Sequence, residues 1–177
     1  MVKNNLDFLS SAPMKFPDVI LLVATTLTAL MAGLFFAYSV SVSLGLQKLS
    51  DIEYIKAMQS INREIQNPLF FSCFFGALLL LPWACIQQYS LNKSTFLFLL
   101  AASVVYGIGV FGVTIVANVP LNNQLDAFSL STASSEQIQK QRSLFEGRWN
   151  IWNHVRTIAS LVAVMAAIGA CLVRKGN

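Results

Sequence analysis

Residues 67–119 read NPLFFSCFFGALLLLPWACIQQ (67–88), YSLNKS (89–94) and TFLFLLAASVVYGIGVFGVTIVANV (95–119). A helix needs about 20 mainly apolar residues to cross roughly 30 Å of hydrocarbon, and both long runs meet that length. The polar link between them is short enough to force an antiparallel return between neighbours. This stretch reads as a membrane hairpin.

The same pattern recurs on either side, over residues 17–46 and 152–173. The expected fold is all-α: an integral membrane four-helix bundle, running up-down-up-down, in one domain over 17–175 after a polar tail at 1–16. Composition agrees, with 55% hydrophobic and 11% charged residues against the ~25% charged residues of soluble domains. The first run is too long for the apolar core of a signal peptide and has no convincing cleavage site, so it reads as a retained span. Cys73, Cys85 and Cys171 fall inside spans without a C-x-x-C pattern and read as small buried apolar residues.

The formal charge of +4 is small and dispersed, which argues against nucleic acid as a partner. Its distribution bears on orientation instead. Lys3, Lys15, Lys93, Arg174 and Lys175 share the face of the termini. Lys48, Lys56, Arg63, Lys140, Arg142 and Arg148 are spread over longer loops on the other face. By density near helix ends, this multi-pass protein is expected to keep its termini in the cytoplasm.

Each outer connection is expected to hold a short amphipathic helix. Ser50 and Glu53 form a capping-box pattern before Ile52, Ile55, Met58 and Ile65, which follow helical spacing. Ser134 and Gln137 form a second such pair ahead of Ile138 and Phe145. Asn67 before Pro68 suits a helix start, and Pro120 is expected to limit the third span. Ser103, Gly107, Gly109 and Gly112 would allow close helix contact. Ser39, Ser41 and Ser43 read as hydroxyls that bond their own helix or ease helix approach.

Four antiparallel crossings bring the end of span one, the start of span two, the end of span three and the start of span four to one face. The sequence places Asn62, Arg63, Asn67, Asn118, Asn122, Trp149, Asn153 and Arg156 there. Trp149, Trp152, Asn153 and Arg156 fall within about a third of a helix circumference. Arg156 opens an apolar run, where an arginine costs several kcal/mol unless it snorkels or finds partners. The spans hold no central carboxylate to pair with it. Backbone carbonyls, the Asn118 and Asn122 amides, or an anionic ligand are left to satisfy it. His154, the only histidine, lies about 100° beyond Asn153; it reads either as an interfacial polar residue or as a base. One histidine and no carboxylate cluster make no standard metal site. No cofactor is evident, and haem held by His154 is the remaining formal alternative.

Three segments then carry a resemblance. Asn62-Arg63 with Asn67-Pro68-Leu69-Phe70, then Asn118-Val119-Pro120-Leu121-Asn122, then Trp149…Trp152-Asn153-His154-Val155-Arg156-Thr157 resemble the anthrone oxygenase-like family of small four-span membrane proteins. The likeness covers roughly residues 20–175. It implies an oxygenase whose partners are dioxygen, the bilayer and an anthrone-like or quinol-like lipophilic aromatic, which leaves as a quinone. Arg156, Asn153 and His154 would then be catalytic. Asn62, Arg63, Asn67, Asn118, Asn122, Trp149 and Trp152 would bind substrate. The competing reading is a non-enzymatic four-span protein that binds a lipid, a small ligand, a partner protein or a second copy of itself, with the polar cluster as glue between helix ends. An open slot beside Arg156 would separate the two.

Overall fold

The computed structural model describes residues 15–175. The tail expected at 1–16 therefore lies almost wholly outside the described residues. Five helices follow one another: α1, Phe16–Leu46; α2, Asp51–Glu64; α3, Pro68–Gln88; α4, Lys93–Asp126; and α5, Ser135–Lys175. Of these, α1, α3, α4 and α5 are long and apolar enough to cross a membrane. Their outward faces carry residues such as Leu79, Ile108, Ile158 and Leu172, which suit contact with lipid chains. The fold is the all-α membrane bundle that the hairpin at 67–119 led us to expect.

Each spanning helix packs on two others, in the ring order α1, α3, α4, α5 and back to α1. Arg174 on α5 bonds Asp18 on α1 at 2.8 Å, so both ends of the chain's spanning part meet on one side. The opposite side is called distal below. Small residues set the spacing: Ala24, Ala77, Ala102, Ala163 and Ala167 are fully buried. With lipid chains as apolar as leucine, such close backbone approach supplies the packing contacts that hold spans together. Gly109 is a point of close helix approach, since a Cβ there would sit 2.6 Å from the Cβ of Ala159. Gly107 meets no such neighbour, so only part of the expected glycine stripe is a contact surface.

The 41 residues of α5 span about 60 Å at 1.5 Å per residue, roughly twice the hydrocarbon thickness. Its first half therefore projects distally. There it packs with α2 and the end of α4 around Tyr54, Ile55, Met58, Leu125, Ile138, Phe145 and Trp149. Both expected capping boxes form. Ser50 N donates to Glu53 Oε2 at 3.1 Å, and Ser134 N donates to Gln137 Oε1 at 2.8 Å. Glu53 lies in water, and its bonds from the Ser50 hydroxyl and amide hold its carboxyl below the usual range.

Two spans widen into i→i+5 turns, over Tyr38–Val42 towards the distal end of α1 and over Tyr106–Gly112 and Thr114–Asn118 in the middle and distal parts of α4. Pro120 consequently does not end its helix. The wide turn hands back to α geometry at Val119, so Pro120 sits in a first turn, where its fixed φ and missing donor are tolerated. The short helix Val119–Asp126 then runs on into the second connection.

Candidate active site

The distal end of the bundle encloses a cavity of about 190 Å³, bounded by α1, α3, α4 and α5 and roofed by α2. A single water needs about 10–15 Å³ on this measure, so the space suits a small organic molecule. Its walls are largely aromatic and aliphatic. Leu34, Phe35 and Tyr38 come from α1, Phe70 and Phe74 from α3, Thr114 and Ile115 from α4, and Trp149 from α5.

One formal charge faces this space. Arg156 is 6% exposed, and among the described residues no carboxylate forms an ion pair with it. Its Nη2 donates to Asn153 Oδ1 at 3.0 Å and its Nη1 makes a long 3.4 Å contact with Thr114 Oγ1. Among the described residues the Nε has no partner. The guanidinium carbon lies 4.5 Å from the ring centre of Phe35 and 5.6 Å from that of Trp149. Two aromatic faces thus supply weak cation–π attraction, but hydrogen-bonding capacity remains unspent. A buried charge held this way keeps a strong preference for an anion, because the low dielectric magnifies the attraction.

The orientation of Arg156 comes from a network between α5 and α1. Asn153 Nδ2 donates to the Phe35 carbonyl at 3.2 Å and to Ser39 Oγ at 3.0 Å. Ser39 Oγ also lies 2.8 Å from Thr157 Oγ1, which itself donates to the Asn153 carbonyl. Ser39 therefore joins two helices rather than bonding its own, the second of the two roles expected for the serines of span one. The wide turn at Tyr38–Val42 begins just beyond the Phe35 carbonyl that Asn153 takes.

Five of the ten site residues expected from sequence line the cavity: Asn62, Asn122, Trp149, Asn153 and Arg156. Trp149 Nε1 donates to Asn122 Oδ1 at 2.8 Å, which fixes the indole as a wall. Asn118 is buried behind the lining, with neither side-chain polar atom partnered among the described residues.

Four others lie elsewhere, each for a local reason. Asn67 caps α3, accepting from Phe70 N at 3.0 Å while donating to the Glu64 carbonyl, so its amide is used up. Arg63 faces water and pairs with Asp126 at 2.6 Å, tying α2 to the end of α4. Trp152 lies about 60° around the helix from Trp149 and is 40% exposed. His154 is exposed too, with Nδ1 at 3.1 Å from Ser39 Oγ on the outside of the α1–α5 seam. Its ring is not part of the cavity lining. Missed by the sequence reading were Phe35, Tyr38, Phe70, Phe74 and Thr114. Their apolar or hydroxylic side chains give no signal apart from packing residues.

The family model for anthrone oxygenase matches residues 62–166, more than half of the 177-residue chain. The chain belongs to the anthrone oxygenase family. The matched segment runs from the end of α2 through Arg156 and so includes three of the cavity's walls and part of its roof. No curated protein and no solved structure matched the chain. Among the described residues, no group of three or more His, Cys, Asp and Glu side chains is placed to hold a metal ion.

Proposed function

We propose that this protein is a membrane-embedded oxygenase that converts an anthrone-like or quinol-like lipophilic aromatic to a quinone with dioxygen. The observation that carries the reading is Arg156: a permanently charged donor, short of partners, at the wall of an apolar cavity. Glue between helix ends would have filled this space with mutual hydrogen bonds. Family membership supports the oxygenase class, and the flat aromatic walls support a ring-shaped substrate.

The chemistry follows from what such a substrate needs. An anthrone methylene loses a proton to give an enolate, whose negative charge rests on the former carbonyl oxygen. Arg156, through its Nη atoms, stabilises that oxyanion and so makes the proton easier to lose. The enolate passes one electron to dioxygen, giving a carbon radical and superoxide, and these combine as a peroxide at the former methylene carbon. Loss of the remaining proton there, with O–O cleavage, leaves the second carbonyl and releases water. One oxygen atom enters the quinone and the other leaves as water, so dioxygen is the only oxidant required and no cofactor is invoked.

Roles within the site divide accordingly. Arg156 is the catalytic residue. Asn153 is a positioning residue, since its amide is shared between Arg156, Phe35 and Ser39. Trp149, Phe35, Phe70 and Phe74 hold the rings, and Asn62 and Asn122 offer amides at the roof. His154 has no part. The cavity wall contains no carboxylate or imidazole, so the first proton leaves to water at the polar rim formed by Gln66 and Asn123.

The test is quinone formation from an anthrone by purified, reconstituted protein, with and without oxygen. Oxygen-dependent turnover above autoxidation, lost in Arg156→Gln, is expected. Autoxidation-level rates from well-folded protein across a panel of anthrones and quinols would overturn the assignment.

A further inference from the structure

The exposed residues of the cavity wall are Gln66, Phe71, Phe75, Ile115 and Asn123. All of them lie on α3, on the joint before it, or on α4. The α1 and α5 contributions to the wall are buried or half-buried. The mouth of the cavity therefore lies between α3 and α4. These helices pack along Lys93–Gly112 but part beside the wide turn at Thr114–Asn118. Phe111 meets Phe74 and Phe75 at ring-centre distances of 5.5 and 6.0 Å, which closes the gap towards the membrane centre.

Above the mouth, the route to water is roofed. Helix α2 is clamped over the cavity by Arg63–Asp126 at 2.6 Å and by Gln59 Nε2, which donates to the carbonyls of Leu125 and Phe128. At its other end, Arg142 on α5 bonds Asp51 at 2.9 Å and the carbonyls of Leu49 and Gln47. The mouth itself is graded: Gln66 and Asn123 are its polar upper rim, whereas Phe71, Phe75 and Ile115 are 39%, 42% and 48% exposed on the lipid-facing side. Amphipathic order of this kind matches the step from headgroups to acyl chains.

We infer that the cavity is loaded sideways from the bilayer, through a portal between α3 and α4, by a neutral planar aromatic that acquires its charge only beside Arg156. This deepens the oxygenase reading and rests on it for the identity of the substrate. A charged compound would leave the membrane for water and meet the roof. A neutral ring system concentrates in the bilayer at the level of the mouth, and the apolar rim admits it without cost to an anion.

The portal is testable without turnover. In a background with Cys73, Cys85 and Cys171 replaced by Ala, Thr114→Cys places a near-isosteric thiol on the buried wall. Reconstituted protein is treated with N-benzylmaleimide, which partitions into the bilayer, or with a charged sulfonatoethyl methanethiosulfonate, and labelling is followed by mass. The maleimide should react readily and the sulfonate poorly. Adding Ile115→Trp should slow the maleimide by about tenfold or more, as overpacking of a narrow passage predicts. Phe71→Ala should speed it, and Val116→Trp, on the lipid face of the same helix but off the cavity wall, should leave it unchanged. Equal labelling by both reagents, or a rate indifferent to Ile115→Trp, would overturn the portal. Portal-dependent labelling in a protein that oxidises no anthrone would retain the portal and reject the oxygenase assignment.

Discussion

Asn153 on α5 donates its amide to the carbonyl of Phe35 on α1 at 3.2 Å, and the ring of that same Phe35 lies 4.5 Å from the guanidinium carbon of Arg156. One residue of span one thus positions both the holder of the arginine and the aromatic face beneath it. The site depends on the α1–α5 seam as much as on any residue that faces the cavity.

Arg156→Gln should separate function from stability. Loss of one well-placed oxyanion donor costs about 10²–10³-fold in kcat, and that drop is expected for anthrone oxidation. A buried charge without a carboxylate partner carries an uncompensated desolvation cost, so the variant should melt no lower than the parent. Turnover and Tm measured on the same reconstituted samples decide the matter. A parallel fall in both would make Arg156 a structural residue.

Asn153→Ala should act through Arg156. It leaves the charge in place but removes the holder of Nη2 and the bond to Phe35. We expect kcat to fall with a loss of stability of about 1–3 kcal/mol from the unsatisfied groups left behind. Asn153→Asp should lower activity differently, by pairing with Arg156 and quenching its pull on an oxyanion. Unchanged kinetics in both variants would show that Arg156 needs no positioning.

His154→Gln should change kcat by less than about twofold, because a general base must reach the proton it takes within about 2.6–3.2 Å or through one water. The ring is on the outer side of the seam, and Asn153 stands between it and the cavity. A loss of kcat of about tenfold or more in a well-folded His154→Gln protein would restore the histidine to the mechanism.

The roof clamps should differ sharply in strength. Arg63→Ala removes an exposed pair worth about 0–1 kcal/mol. Arg142→Ala strips a largely buried guanidinium from Asp51, Glu146 and two carbonyls, and from the Tyr54 ring 4.5 Å away. Losing charge-assisted hydrogen bonds of this kind typically costs about 1.5–3 kcal/mol. Hydrogen exchange in α2 should rise strongly in Arg142→Ala and little in Arg63→Ala; equal protection in the two would contradict the clamp.

Gly109→Ala should destabilise by about 1–3 kcal/mol, the usual cost of overpacking, because the new methyl meets the Cβ of Ala159 at 2.6 Å. Ala159→Gly in the same chain should recover part of that loss. Thermal unfolding of the single and double variants measures the coupling directly, and additive effects would mean that the two helices can part at this point.

Much of this protein is legible in its sequence because the bilayer is a demanding solvent. A backbone within hydrocarbon must satisfy its own hydrogen bonds, so residues 67–88 and 95–119 had to be helices. Their short link had to make them antiparallel. Local chemistry was equally readable at Ser50 with Glu53, Ser134 with Gln137 and Asn67 before Phe70, where each cap involves residues three apart. Arg156 stood out because its charge is costly wherever an apolar run places it. What the tertiary structure alone decided was which polar side chains turn inward and what they meet. Trp152 and His154 share a short motif with Asn153 and Arg156, yet about 100° of helical rotation per residue sends them to the surface. Arg63 and Asn67 are consumed by an ion pair and a cap. Phe35, Tyr38 and Thr114 become cavity wall only because distant helices close around them. Tyr38 and Thr114 lie in wide turns, and which neighbour each meets there is set by packing between spans and not by the residues of one span alone.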